Sequence, residues 1–353
     1  MNLDDWRSRI NSLDEEILKL LNQRGTAALR IGELKRQQGL PYFIPEREAQ
    51  VLARLAGMPE GPLGGDAIRA IWREILSASL ALEHPLRVAY LGPPGTFTHQ
   101  AATRRFGSST QLQPVRTIAE IFDEVERGRA EFGVVPVENS TDGAVSVTLD
   151  RLIDSDVTIT GEMTLDISQH LISRATELGE VKRVCSHPQG LAQCRAWLVT
   201  HLPEAVTEET PSTAAAVERA RDDATVAAVA SDMAAAVHRV PILRPRIEDN
   251  PANSTRFLVI GRRPVSPTGR DKTSILFSMK NEPGVLFSIL QPFAVARLNL
   301  TKIESRPTKR RPWEYVNFVD FEGHCDTENV RSVLAEVRQR CQFLKILGSY
   351  PAA

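Results

Sequence analysis

Asn253-Ser254-Thr255-Arg256-Phe257 runs directly into Leu258-Val259-Ile260. Amide, hydroxyl and guanidinium groups crowd the entrance to an apolar strand, a place where a small anion can sit at the mouth of a sheet. Four other clusters lie upstream of it: Gly92-Pro93-Pro94-Gly95-Thr96-Phe97, Pro136-Val137-Glu138-Asn139-Ser140, Ser186-His187-Pro188-Gln189 and Pro211-Ser212-Thr213. Between these clusters the chain alternates short apolar runs with helical ones. Strands are predicted over 87–91, 132–137, 157–159, 181–185 and 226–230, and helices over 99–105 and 118–127. This alternation predicts a parallel sheet with helices on both faces. Residues 161–173 read as one long extended run, which suits a crossing into a second lobe. Ligands of such folds gather at strand C-terminal ends, beside helix N-termini.

The five clusters, in this order, resemble the prephenate dehydratase family over roughly half of the chain. The resemblance implies a two-lobed, periplasmic-binding-protein-like α/β domain over 86–263. It also implies prephenate as substrate, which loses carbon dioxide and water to become phenylpyruvate, with aromatisation as the driving force. That chemistry needs anion holders and a proton donor for the leaving hydroxyl. By resemblance Thr255 is the donor contact, acting within a relay because a Thr hydroxyl is a poor acid, and Glu138 is the competing acid. Thr96, Asn139, Ser140, Ser186, His187, Gln189, Gln193, Ser212, Thr213, Arg256 and Phe257 are the implied substrate contacts. Ser212 also reads as the N-cap of a helix from Ala214. Gly92 to Gly95 suggests a phosphate loop, but no Gly-Lys-Ser/Thr follows, which argues against ATP. His170 reads as an interior histidine. The seven histidines show no metal-binding spacing, so neither metal nor cofactor is expected.

The first 84 residues read as all-helical. Ile10, Leu13, Ile17, Leu20, Arg24, Ala27, Ile31 and Leu34 alternate spacings of three and four, the seam of a long helix packed on others. Pro41 and Pro45 end it; further helices are predicted over 45–56 and 66–82. Arg24 and Lys35 fall on one face, roughly 16 Å apart, so both can lean onto one small dianion. Arg7 lies about 25 Å from Arg24 along the helix and on another face. It can reach a second copy's ligand if two such helices pair antiparallel, which predicts a dimer. Arg7, Leu13-Asp14, Arg24, Gly32, Lys35, Arg47-Glu48 and Ser79 resemble the all-helical chorismate mutase family, whose first helix is swapped across a dimer. The resemblance implies that Arg7 of a partner, Arg24 and Arg47 hold the two carboxylates. Lys35 donates to the ether oxygen, Glu48 accepts from the ring hydroxyl and Ser79 lines the site. Two positions depart from the common pattern. Ile44 stands where an Asp often lies, and Glu83 where a Gln often donates to the ether oxygen; a carboxyl donates only when protonated.

Residues 262–272 read as a linker. Beyond it, strand (273–279), helix (284–296), strand (300–305), strand (315–321), helix (327–341) and strand (344–347) give the α+β order βαββαβ. Asn281, Pro283, Gly284, Val285 and Leu286 open the first helix, and Glu304-Ser305-Arg306 ends the next strand. Together they resemble the ACT domain over 272–353, with these segments lining an effector site for L-phenylalanine between two ACT domains.

A net charge of -1 gives no general pull toward nucleic acid or an anionic membrane. No apolar run approaches membrane-spanning length, and the N-terminus lacks a signal-peptide core, which predicts a cytoplasmic chain. Cys185, Cys194, Cys325 and Cys341 form no CxxC pair and fit a reducing compartment. The three resemblances together imply a bifunctional enzyme that converts chorismate to prephenate and then to phenylpyruvate, inhibited by L-phenylalanine and assembled as a homodimer or higher oligomer. Two other readings stay open: a dehydratase with a structural helical domain, and a non-catalytic amino-acid sensor.

Overall fold

The computed structural model describes residues 2–58, 61–280, 282–307 and 315–352. It divides into two compact units, one of residues 1–87 with 106–111 and one of 88–105 with 112–353.

The first unit is built from α1 (Leu3–Gln38), α2 (Pro45–Ala56) and α3 (Gly65–Glu83). A capping box starts α1: the Asn2 side chain accepts from Asp5 N–H and the Asp5 carboxylate accepts from Asn2 N–H. Gly39, with φ 65°, ends it in the left-handed conformation, and Pro45 opens α2 where a missing N–H costs nothing. The α1 seam does not pack as expected. Ala28 and Gly32 are buried in α1, whereas Ile10, Leu13, Ile17, Leu20, Ile31 and Leu34 are exposed. The contact with α3 runs along Gly25, Ala28 and Gly32, one residue off the predicted seam. At Gly32 a Cβ would stand 3.1 Å from the Glu83 Cβ, so a side chain there would push the helices apart. α1 spans about 54 Å and α3 about 29 Å, so the shorter helix cannot cover the whole length of the longer.

The second unit opens with a first lobe. Its chain order is β1 (Arg87–Leu91), α4 (Phe97–Phe106), β2 (Gln111–Val115), α5 (Ile118–Glu126), β3 (Phe132–Asn139), β4 (Gly143–Ala144), α6 (Ser146–Asp154) and β5 (Thr158–Asp166). The second lobe follows with β6 (His170–Ser173), β7 (Arg183–Ser186), α7 (Pro188–Gln193), α8 (Arg195–His201), β8 (Val206–Glu209), α9 (Thr213–Asp222), β9 (Val226–Ala230), α10 (Asp232–His238) and β10 (Ile242–Arg244). The chain then returns to the first lobe as β11 (Ser254–Gly261). The sheet orders are β2-β1-β3-β11-β5, with β4 on β3, and β10-β6-β9-β7-β8.

Neither sheet is wholly parallel, which corrects the expectation from sequence. β1–β3, β7–β8 and β7–β9 are parallel, but β11 runs antiparallel to both β3 and β5, as β6 does to β9 and β10. The cause is the double crossing: β5 leaves the first lobe and β11 re-enters it, so the two lie side by side in opposite directions. Phe122, Leu149, Leu152, Ile159 and Ile260 are wholly buried in this lobe. Each contributes about 1.5–3 kcal/mol by leaving water.

The C-terminal layer is β12 (Asp271–Ser278), α11 (Val285–Val295), β13 (Leu300–Pro307), β14 (Tyr315–Glu322), α12 (Glu328–Arg340) and β15 (Phe343–Pro351), in sheet order β13-β14-β12-β15. The βαββαβ order is as expected, with antiparallel pairing throughout. Ile275, Phe277, Ile289, Phe293, Val319 and Phe321 form its core against the two helices. The other face of the sheet packs on the first lobe, where Leu276, Val316, Phe318, Leu347 and Tyr350 join Val135 and Leu258 in one cluster. At Gly348 a Cβ would collide with the Ile159 carbonyl oxygen, so β15 and β5 approach closely. Among the described residues no helix is long and apolar enough to cross a membrane, and all four cysteines are free. Cys194 is a core residue whose thiol pKa is pushed up by burial, and then by Asp249 and Glu248.

Candidate functional site

In the helical unit, Arg24, Lys35, Ile44, Arg47, Glu48, Ser79 and Glu83 line one cavity of ≈ 480 Å³. Lys35 Nζ lies 2.7 Å from Glu83 Oε2 and donates at 2.7 Å to the Tyr42 carbonyl oxygen. Arg24 donates to Ser79 Oγ, and Ser79 in turn donates to the Ile75 carbonyl oxygen at 2.7 Å. Burial lowers the Arg24 pKa, partly opposed by the Glu83 charge. A guanidinium short of solvent and facing a cavity is a ready anion partner. Arg7 is not brought here: its side chain is 67% exposed and paired with Asp4 at 3.3 Å. Seven of the eight mutase-type residues therefore converge, once Ile44 is counted with them.

In the two-lobed region the centre is a pair of strand ends. Thr255 and Asn139 are register partners on β11 and β3, and Asn139 Nδ2 donates to Thr255 Oγ1 at 2.9 Å and to Asn253 Oδ1 at 2.8 Å. Asn139 Oδ1 accepts from the N–H groups of Thr141 and Asp142, an Asx turn that fixes the amide's orientation. Asn253 Nδ2 is buried and, among the described residues, has no hydrogen-bond partner. It is an open donor beside the Thr255 hydroxyl. Ser140 Oγ accepts from Ser254 N–H at 2.9 Å and braces the same turn.

Contacts from the second lobe come to this end of the sheet. Gln189 donates to Asp142, Ser231 Oγ donates to the Gly95 carbonyl oxygen at 2.9 Å, and Gln100 Nε2 donates to Asp232 Oδ1 at 2.7 Å. Thr96 Oγ1 donates to the Leu91 carbonyl oxygen at 2.8 Å and accepts from His99 N–H. His99 Nδ1 accepts from Gly95 N–H at 3.0 Å and its ring stacks on Tyr90. Burial lowers the His99 pKa and raises that of Tyr90 to about 12. His187 caps α7, Ser212 caps α9 as expected with Thr213 next to it, and Gln193 Oε1 accepts from Gln169 Nε2 at 3.0 Å. His170 is an interior histidine: its Nδ1 accepts from Arg246 N–H and burial lowers its pKa.

Of the residues expected at the dehydratase site, two are enclosed side chains and two face away from Thr255 and Asn139. Phe257 is 1% exposed within the sheet. Ser186 is wholly buried and donates to the Val229 carbonyl oxygen at 2.6 Å. Arg256 and Glu138 are register partners of each other and point to the face opposite Thr255 and Asn139. The reason is alternation along paired strands, with Val137 skipped in the pairing. On that far face Arg256 Nη1 meets Asp320 Oδ2 at 2.6 Å and Nη2 meets Glu162 Oε2 at 2.6 Å, while Glu138 Oε2 lies 2.7 Å from Lys302 Nζ. Burial would lower the Arg256 pKa, but Tyr350, Asp320 and Glu162 outweigh it and raise the pKa.

In the C-terminal layer Gly284 caps α11 at φ 79°, with Pro283 before it and Val285 and Leu286 in the first turn. Asn281 lies outside the described residues. Ser305 Oγ donates to Asn317 Oδ1 at 2.6 Å on the helix side of the sheet. Arg306 donates to Ser146 Oγ at 2.8 Å and Asp150 Oδ1 at 3.1 Å on α6, and alternation places Glu304 on that same face. His324, Cys325 and Asp326 cluster nearby, but both His324 nitrogens are engaged, with the Val265 carbonyl oxygen and Asp326 N–H. Sequence reasoning missed Asp142, Lys302 and Asp320, each of which meets a partner distant in the chain, and Tyr42, whose carbonyl oxygen accepts from Lys35 seven residues before it.

Three family profiles match in succession: chorismate mutase type II over residues 6–84, prephenate dehydratase over 88–265 and the ACT domain over 273–339. A bifunctional chorismate mutase/prephenate dehydratase of Aquifex aeolicus (strain VF5) is 48% identical over 355 residues, covering 99% of this chain and 98% of that protein. The prephenate dehydratase of Arthrobacter aurescens, solved in complex with L-Phe, is similar with a TM-score of 0.69 at 33% identity, over 75% of this chain and 90% of that one. A chain described as a novel type of quorum-quenching acylase also gives a TM-score of 0.69, at 31% identity over 76% of this chain and 98% of its own. Fold alone thus leaves the chemistry open, and the family profiles and whole-length identity decide it. With all three profiles in order and near-half identity from end to end, the chain belongs to the bifunctional chorismate mutase/prephenate dehydratase family.

Proposed function

We propose that the helical unit rearranges chorismate to prephenate, that the two-lobed region converts prephenate to phenylpyruvate, and that L-phenylalanine inhibits through the C-terminal layer. The observation that carries this is the convergence of Arg24, Lys35 and Arg47 on one cavity in a chain that also holds the Asn139–Thr255 pair.

The mutase step breaks a C–O bond as a C–C bond forms and needs no nucleophile, only a compact conformer and placed positive charge. Arg24 and Arg47 hold the carboxylates. Lys35 turns one of its three N–H donors toward the ether oxygen, where charge develops. Glu48 accepts from the ring hydroxyl. Glu83, the partner of Lys35, keeps that ammonium in place and donates only if it carries a proton. Arg7 is supplied by a second copy. The exposed stripe Trp6, Ile10, Leu13, Ile17 and Leu20 supports that dimer, since a continuous apolar face on one long helix is what a paired helix covers.

In the dehydratase step the electrons of the departing carboxylate's C–C bond pass into the ring, and the ring hydroxyl leaves with an added proton as water. Asn139 donates into the Thr255 oxygen, which leaves the Thr255 O–H free to donate to that hydroxyl. Asn253 Nδ2, without a protein partner among the described residues, is placed for a substrate oxygen. Phenylalanine binding at Gly284 to Leu286 uses N–H groups of a helix start, beside the Val285 N–H that already donates to the Glu282 carbonyl oxygen. Phe287 and Val295, 71% and 78% exposed on the same helix, offer an apolar surface to a second C-terminal layer.

The test is a time course with purified protein and chorismate, following chorismate, prephenate and phenylpyruvate with and without L-phenylalanine. Chorismate loss with phenylpyruvate formation, slowed by phenylalanine, is expected. Stable chorismate with turnover of supplied prephenate leaves a dehydratase carrying a structural helical unit. No product from either substrate rejects the assignment.

A further inference from the structure

Four charged side chains meet where the C-terminal sheet lies on the back of the two strands that carry Asn139 and Thr255. Glu138 and Arg256 are register partners on β3 and β11. Lys302 and Asp320 are register partners on β13 and β14. The two pairs face each other with opposite charges aligned: Lys302 Nζ is 2.7 Å from Glu138 Oε2, and Arg256 Nη1 is 2.6 Å from Asp320 Oδ2. Both cations are largely buried, their side chains 11% and 16% exposed, but Glu138 is 40% exposed against 10% for Asp320, so water screens the Lys302–Glu138 pair more than the Arg256–Asp320 pair. The Asp320 end is braced further. Ser274 Oγ donates to Asp320 Oδ1 at 2.5 Å, and Arg256 Nη2 donates to the Tyr350 hydroxyl at 3.1 Å. The Lys302 end is not. Its ammonium is an ion contact without an aligned hydrogen bond among the described residues. One side of this quartet is therefore firm and the other labile.

Each member on the catalytic sheet is the chain neighbour of a residue on the opposite face: Glu138 precedes Asn139, and Arg256 follows Thr255. A strand rotated or slid at one residue carries its neighbour with it. Lys302 lies two residues before Glu304 on the strand whose end was assigned to effector binding, and Arg306 fastens the same strand to α6.

We propose that Lys302 is a positioning residue for the dehydratase reaction: its ion pair with Glu138 sets the Asn139–Thr255 spacing from behind, and an amino acid bound beside β13 acts on the rate by loosening or tightening this contact. The proposal rests on the reading that Asn139 and Thr255 belong to the dehydratase site.

The experiment uses the full-length chain. Native protein, Lys302→Met, Lys302→Arg and Asp320→Asn are assayed for prephenate kcat and KM, for the phenylalanine concentration giving half inhibition, for Tm and for chorismate mutase rate. Lys302→Met is expected to lower dehydratase kcat about tenfold with KM within about twofold of native, and to shift the half-inhibiting concentration about fivefold or more. Lys302→Arg is expected to restore most of kcat. The mutase rate, from a separate compact unit, stays native, and Tm reports whether the second unit is folded. If Lys302→Met does not fold, Asp320→Asn opens the other pair and carries the same expectation. The proposal is overturned if Lys302→Met lowers Tm while kcat and the phenylalanine response stay native, if Arg does not rescue, or if kcat and KM fall together with the mutase rate. Where the native chain is insensitive to phenylalanine, kcat alone decides. An undiminished rate in Thr255→Val would instead sink the site reading, and leave the Lys302 effect on phenylalanine response standing or falling separately.

Discussion

At the scale of single residues, adjacent positions in one motif do different jobs. In Thr255-Arg256-Phe257 the threonine meets Asn139, the arginine braces the back of the sheet and the phenylalanine fills the core. If the Thr255 hydroxyl is the donor, Thr255→Val lowers dehydratase kcat about a hundredfold or more, and Thr255→Ser keeps much of the native rate. Equal rates in the two variants would remove Thr255 from that role. His99 makes a separate prediction. Its pKa is depressed by burial below the ordinary 6.5, so the fold favours the neutral ring, whose Nδ1 accepts from Gly95. The stability it contributes is complete above about pH 6.5 and is lost as pH falls through the depressed value. Native Tm is therefore expected to drop between pH 7.5 and 5.5, and His99→Gln to show a smaller drop. His170 shifts in the same direction, also chiefly by burial, so some pH dependence remains in that variant.

At the scale of elements, α1 carries more apolar surface than its own unit can cover. Leu3, Trp6, Ile10, Leu13, Ile17 and Leu20 are all exposed. Replacing Ile10 and Ile17 together with Glu is expected to halve the particle mass in light scattering, if no other interface holds the copies together, and to lower mutase kcat/KM about tenfold or more as the second copy's Arg7 is lost. Prephenate turnover continues. An unchanged mass with native mutase rate would place the dimer contact elsewhere.

At the scale of the whole molecule, the second unit is one body in which the C-terminal sheet and the first lobe share a core, so effector layer and catalytic lobe are not beads on a string. Gly348→Ala tests that union, because its Cβ would meet the β5 backbone at Ile159. It is expected to cost about 1–3 kcal/mol, seen as a lower Tm, with the mutase rate unchanged. A native Tm would show that β15 lifts from β5 freely.

Local chemistry was legible in the sequence wherever period and punctuation sufficed. The helix from Pro45 to Ala56, the βαββαβ order and the Ser212 cap depend on side-chain spacing, proline and capping hydroxyls, which act within a few residues. The convergence of Arg24, Lys35, Arg47 and Glu48 was also legible, through spacing on α1 together with family resemblance. Strand direction was not, because β11 pairs with β3 and β5 across 88 residues or more and its polarity follows from a return crossing. Nor was the facing of Glu138 and Arg256: alternation sets each opposite its neighbour Asn139 or Thr255, but only the sheet packed behind them shows which face meets the C-terminal layer. The sequence by itself determined which elements form and which polar groups are available. Only the tertiary structure decided which face each group occupies and which partner it meets, because charges distant in the chain acquire an energy of interaction only when the sheets that carry them come together.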